Sequence, residues 1–107
     1  MCLAVYGLTE QFPREEIYGL TSQLRRASIS VSSNVAEGYG RLSREQYRYF
    51  LGIAQGSNFE VQTQLVIAGE LRLADSLRIE EVESLSSEVG RMLASMLRNM
   101  PAANRNR

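Results

Sequence analysis

Between Gln23 and Arg41 the chain reads QLRRASISVSSNVAEGYGR, and the spacing of Leu24, Ala27, Val31 and Val35 within it points to one regular form. Steps of three and four residues put these side chains on one face of an α-helix. Gly38 and Gly40 close the run and offer the permissive backbone that a helix end and a tight turn need. The polar residues between the apolar ones are too many and too mixed for an ordinary buried face. The rest of the chain is expected to fold back against this helix.

Upstream, Ile17 and Leu20 extend the same face, so this second helix is expected from about Arg14 to Glu37. Before it, residues 2–10 read as a short helical piece that Pro13 stops. A proline disfavours helical geometry at the residue before it and is itself at home at a helix start. Downstream, Ser43 followed by Gln46 is a capping-box pattern and marks the next N-terminus. The third helix is expected from about Arg44 to Leu73. One stripe on it is Tyr47, Phe50/Leu51, Ala54, Asn58, Val61, Leu65 and Ala68. A second stripe, Tyr49, Ile53, Gly56, Thr63 and Ile67, lies about a third of a turn away. A helix apolar on two sides contacts either its own bundle and a neighbouring subunit or one wide core. Gly52 and Gly56 share a face and would permit close helix approach. Asp75-Ser76 mark the last connection, and Ile79, Val82, Ser86, Val89, Leu93, Met96 and Met100 line a fourth helix over about 78–99. No period-2 alternation persists, so strands are not expected. The pattern predicts an all-α fold, an antiparallel up-down four-helix bundle with a shortened first helix. Residues 1–100 form its single domain, and 101–107 are expected to be a disordered tail.

Composition narrows the chemistry. There is no histidine, so the commonest general base and metal ligand is missing. The single cysteine, Cys2, has no imidazole partner and cannot form an intramolecular disulfide. No lysine exists to complete a phosphate-binding loop of the Walker type. An all-carboxylate metal site from Glu37, Glu60 and Glu70 is the weakest of the possibilities weighed. The expectation is a protein that is not an enzyme, with no cofactor and no metal. No apolar run reaches the ~20 residues of a membrane span, and no secretory signal is visible, so a cytoplasmic protein is expected.

Twelve arginines balance twelve carboxylates, which removes any global field toward nucleic acid. The use of arginine throughout fits either codon bias or a need for bidentate contacts. Arg25, Arg26, Arg41, Arg44 and Arg48 gather about one hairpin, with Tyr39, Tyr47 and Tyr49 beside them. These arginines could contact phosphates, and the tyrosines could stack on bases. The structural alternative comes first of the two. It places Arg25 and Arg26 opposite residues 55–57, from where one guanidinium could reach Glu60, and Glu37 near Arg41, Arg44 and Arg48. On this alternative Asn34 is an inward amide that sets the helix register and caps the corner.

The motifs together resemble a known family. Gln23-Leu24-Arg25-Arg26-Ala27-Ser28, Asn34-Val35-Ala36-Glu37-Gly38, Gly40-Arg41, then Phe50-Leu51, Ile53-Ala54, Gly56-Ser57 and Glu60 are similar to the pattern of four-helix-bundle proteins encoded in bacterial 23S rRNA intervening sequences. Tyr6-x-Leu8-Thr9, Phe12-Pro13 and Tyr18-Gly19-Leu20-Thr21 extend the resemblance over nearly the whole chain. It implies an up-down bundle assembled as a ring-like homopentamer, and a link to structured RNA. A related branch, the accessory variability determinant of diversity-generating retroelements, implies a reverse transcriptase as partner. No membrane role is implied. A protein-protein assembly scaffold with no nucleic-acid role stays open beside it. The chain departs from the family in two ways: it is neutral, and it opens midway through the usual first helix, which would leave core surface exposed.

Overall fold

The computed structural model describes residues 1–100 and contains four α-helices: α1 (Cys2–Thr9), α2 (Leu20–Tyr39), α3 (Arg44–Glu70) and α4 (Ser76–Arg98). A 3-10 turn at Arg14–Glu16 links α1 to α2. Among the described residues there is no strand. Each helix packs on its chain neighbour and α1 also packs on α4, which closes the square and leaves α1/α3 and α2/α4 on the diagonals. The chain is thus an up-down four-helix bundle. The expected tail, 101–107, lies outside the described residues.

The sides of the square are unequal. α1 has 8 residues and α3 has 27, or about 12 Å against about 40 Å at 1.5 Å per residue. α1 therefore lines only the end of the bundle where α2 and α4 begin and α3 finishes. There, Val5, Leu8, Leu24, Val61 and Leu65 are fully buried, with Phe12, Ala68, Ile79 and Val82 completing the core. At the other end three helices meet around Val31, Leu51, Ala54 and Leu93. Val35, Tyr47, Val89, Met96, Leu97 and Met100 beside them are only half-buried. Met1 touches both clusters. The two are called the closed and the open end below.

Where the two ends meet, the bundle is crossed by hydrogen bonds. Asn58, fully buried, donates from Nδ2 to the Ser86 carbonyl at 2.9 Å and accepts from Ser86 Oγ at 2.9 Å. A buried amide left unpaired would lose about 1–3 kcal/mol, so this pair fixes the α3/α4 register. Gly90 makes room for it, because a Cβ there would stand 3.1 Å from Asn58 Nδ2. Ser30 and Ser57 join their hydroxyls at 2.7 Å and do the same between α2 and α3.

Several expected boundaries shift, each for a local reason. α2 starts at Leu20 rather than Arg14, because Gly19 leaves helical geometry (φ −110°, ψ −114°) and Glu16 Oε1 accepts the Leu20 N–H. Ile17 keeps the helical spacing but lies outside the helix, exposed. α3 stops at Glu70 because Arg72 takes a left-handed conformation (φ 56°). The Arg72 and Leu73 amides then cap Gly69 and Ala68. α3 begins where Ser43 Oγ accepts the Gln46 N–H at 3.0 Å, as the capping box predicts. Neither glycine of the corner adopts a positive φ. Gly38 is needed for close approach instead: a Cβ would lie 3.0 Å from Phe50 Cβ and 3.2 Å from the Tyr47 carbonyl.

Candidate nucleic-acid interface

The five arginines expected around one hairpin divide between the two ends. Arg25 and Arg26 lie on α2 at the closed end, some 20 Å along the helix axis from the corner at 1.5 Å per residue. Arg25 Nε donates to Thr9 Oγ1 at 2.8 Å, and its guanidinium lies 4.5 Å from the centroid of the Tyr6 ring. Arg26 donates to Gln23 Oε1 on its own helix. They were expected opposite residues 55–57, with one guanidinium reaching Glu60. Neither reaches it, because the α2 face that carries residues 21, 25 and 28 points at α1. The Thr9–Arg25 bond and the thiol of Cys2 against the Ser28 carbonyl at 3.1 Å mark that contact. Ser57 bonds Ser30, Glu60 is exposed, and Gly56 faces outward with nothing within 4 Å of a Cβ position.

Arg41, Arg44 and Arg48 remain together at the open end. Arg41 pairs with Glu37 one turn back and lies 4.8 Å from the Phe50 ring centroid, so its charge is answered. Arg48 reaches across to α4 and donates to the Leu97 carbonyl at 2.8 Å and the Met100 carbonyl at 3.3 Å. That caps the end of α4, where the helix dipole is negative. Arg44 has no hydrogen-bond or ionic partner among the described residues. Asn34, expected to face inward and cap the corner, is half-buried and donates to the Ser30 carbonyl and hydroxyl in its own helix. The corner is held by the Glu37–Arg41 pair and by backbone bonds of Gly40 to Ala36 and Arg41 to Gly38. Asn34 bears on the register only through the Ser30 hydroxyl that Ser57 shares, whereas Asn58 bonds directly across to α4.

The division carries a charge difference. The open end holds Arg41, Arg44, Arg48, Arg91 and Arg98 against Glu37, Glu45 and Glu88. The closed end holds five arginines against nine carboxylates. A chain with zero formal net charge is thus polar along its 54 Å length. Net charge hides this, and only the fold sorts the residues by end.

Between the start of α3 and the end of α4 the open end contains a cavity of about 730 Å³, lined among others by Tyr39, Leu42, Arg44, Tyr47, Met96 and Met100. Sequence reading missed it, since it is formed where the end of α2, the start of α3 and the end of α4 come together. Its lining includes no carboxylate. Tyr39 stands at the rim, 83% exposed. Among the described residues no three His, Cys, Asp or Glu side chains come together to hold a metal ion. No helix there is long and apolar enough to cross a membrane.

A second surface stands on the outer face of α3. Tyr49, Phe59, Val66 and Ile67 are exposed, and Gly52, Gly56 and Gly69 have nothing within 4 Å of a Cβ position. The second stripe read from the sequence is therefore solvent-facing in the single chain, apart from the half-buried Ile53.

Comparison with known proteins follows the same lines. A family model described as 23S rRNA-intervening sequence protein matches residues 1–95. The crystal structure of a protein of unknown function from the S23 ribosomal protein family of Bacteroides thetaiotaomicron superposes with a TM-score of 0.76. The two share 20% sequence identity over 80% of each chain, so the likeness is one of fold. No curated protein matches the sequence.

Proposed function

The chain belongs to the 23S rRNA-intervening sequence protein family, and on that premise we propose that it is a non-enzymatic, homo-oligomeric helical bundle that associates with structured RNA. A reverse transcriptase is the protein partner that the family resemblance suggests, the pentamer is the assembly it suggests, and the cytoplasm is the compartment. The observation that carries the RNA reading is the open end, where five arginines stand against three carboxylates among the described residues and Arg44 has no hydrogen-bond or ionic partner there. Such guanidinium groups suit phosphate, which accepts two parallel hydrogen bonds from the planar fork. Salt-dependent retardation of a structured RNA tests it: binding at 50 mM salt that weakens steeply by 200 mM is expected. Binding without salt dependence, or none at low salt, counts against phosphate contacts.

The outer face of α3 supports self-association. Four exposed large apolar side chains flank glycines that allow a second helix to approach closely. Light scattering behind size exclusion checks it, and a monomer at micromolar concentration would remove the argument. The same face favours the competing reading, an assembly scaffold with no nucleic-acid role, which predicts an oligomer that binds no RNA at any salt.

A further inference from the structure

We propose that the cavity at the open end holds one unpaired ribonucleotide of a bound RNA, with the base in its apolar slot and the phosphate on Arg44. The proposal rests on the RNA reading above and sharpens it from a charged surface to a site.

Size, walls and charge agree on this ligand. The cavity is an open-sided slot, and its volume of about 730 Å³ falls within the ~300–1,000 Å³ of small-molecule sites. The walls are the half-buried ring of Tyr47 and the thioethers of Met96 and Met100, which offer a π-face and soft, adaptable contacts to a flat ring. Tyr39 at the rim can stack on a neighbouring base. The α4 side of the cavity carries a polar edge. Asn99 Nδ2 donates to Ser95 Oγ at 3.3 Å, which leaves the Asn99 amide oxygen to accept from an exocyclic amine. At the other side stand Arg44, without a hydrogen-bond or ionic partner among the described residues, and the N-terminus of α3, where the helix dipole is positive. Arg48 is a positioning residue: its bonds to the Leu97 and Met100 carbonyls tie the end of α4 to α3 and set the width of the slot. An apolar slot with a polar edge and a cation at one end is the layout that a base, its edge and its phosphate require. Paired bases are stacked inside a helix and cannot enter, so the site selects unpaired nucleotides.

The test uses the full-length chain and fluorescence anisotropy with two labelled RNA hairpins, one blunt and one carrying a short 3′ overhang, each at two salt concentrations. The wild type is expected to prefer the overhang roughly tenfold, in the lower part of what one stacked base contributes. Ser95→Trp fills the cavity and leaves every arginine in place. It is expected to erase the preference while keeping salt-dependent binding to both hairpins. Arg44→Gln is expected to weaken both and to lower the salt slope by about one phosphate contact. Free adenosine monophosphate at millimolar concentration is expected to compete away the overhang preference and not the residual binding. Circular dichroism melting shows whether Ser95→Trp folds, and Ser95→Leu, a smaller filling, replaces it if it does not. Equal affinity of the wild type for both hairpins, or a preference that survives the filling, overturns the nucleotide site, leaves the RNA reading intact and returns the cavity to a protein partner. Absence of salt-dependent binding to either hairpin overturns both.

Discussion

The closed and open ends of the bundle are built from the same three long helices and differ by one short one. With α1 in place, the closed end buries Val5, Leu8, Leu24, Val61 and Leu65 completely and turns an acidic surface to solvent. Without it, the open end leaves Val35, Val89, Met96 and Met100 half-covered, carries the excess of arginine and contains the cavity of about 730 Å³. The closed end is therefore the better packed, and the open end shows more apolar surface and positive charge. The difference is a general one for bundles: removing one side of the square over part of its length converts core into pocket without altering the remaining helices.

The largest expected effect probes this asymmetry directly. Leu65→Ala at the closed end deletes a fully buried side chain and is expected to lose about 2–5 kcal/mol, while Met96→Ala at the open end, half-buried already, is expected to lose about 1 kcal/mol. Urea denaturation followed by circular dichroism at one fixed protein concentration measures both. Equal losses would break the comparison, because they would mean that something covers the open end in solution.

Asn58→Ala comes next. It removes both bonds to Ser86 and leaves the Ser86 hydroxyl buried without a partner, for an expected loss of about 1–3 kcal/mol. Asn58→Leu combined with Ser86→Ala should recover part of that loss, since no buried polar group is then orphaned. If the double variant is as unstable as Asn58→Ala, packing around Gly90 rather than the hydrogen bonds sets the register.

The two ends of α3 supply the third comparison. Ser43→Ala, at the open end, removes the cap on the Gln46 amide and is expected to lose about 1 kcal/mol. Arg72→Gly, at the closed end, relieves a left-handed residue with a Cβ and is expected to gain up to about 1 kcal/mol. Thermal melts of the pair should move in opposite directions. A loss for Arg72→Gly would show that the arginine side chain contributes more than its backbone strains.

These positions also show how far the sequence could be read. Apolar spacing identified the four helices and the inward stripe of α3, because burial of that stripe is what stabilises it. The capping box placed the start of α3 because its chemistry is local. Gly19 was not legible as a break: Ile17 and Leu20 keep the helical period across it, and the Glu16 side chain that accepts the Leu20 N–H at the start of α2 leaves no period of its own. The site was legible only as residue types. Arg25 and Arg44 look alike in a string, and which helix each faces depends on the rotation of α2, which no pairwise spacing fixes. Asn34 and Asn58 are both amides on apolar stripes. Only the second meets a serine and a glycine across the interface, and that depends on the α3/α4 register. The cavity was illegible altogether, since it joins residues 38–47 to residues 95–100, far apart in the chain.

The smallest expected effect separates two arginines that share a motif. Arg25 and Arg41 each hold a guanidinium over an aromatic ring, Tyr6 at 4.5 Å and Phe50 at 4.8 Å. Arg25 is half-buried between α1 and α2, and its second bond goes to Thr9 Oγ1, which in turn donates to the Val5 carbonyl at 2.8 Å. Arg41 is exposed, and its second contact is an ion pair with Glu37 in solvent. Arg25→Gln should therefore lose about 1 kcal/mol, from the ring contact and a partly buried hydrogen bond. Arg41→Gln should lose about 0.3 kcal/mol, as exposed pairs one turn apart do. Salt distinguishes them further: at 1 M the screening length falls to about 3 Å, which should erase the Arg41 effect and leave most of the Arg25 effect in place. Denaturation midpoints of both variants at low and high salt read this out. A salt-sensitive Arg25→Gln would place that guanidinium in solvent, and the closed end would then be less closed than its core implies.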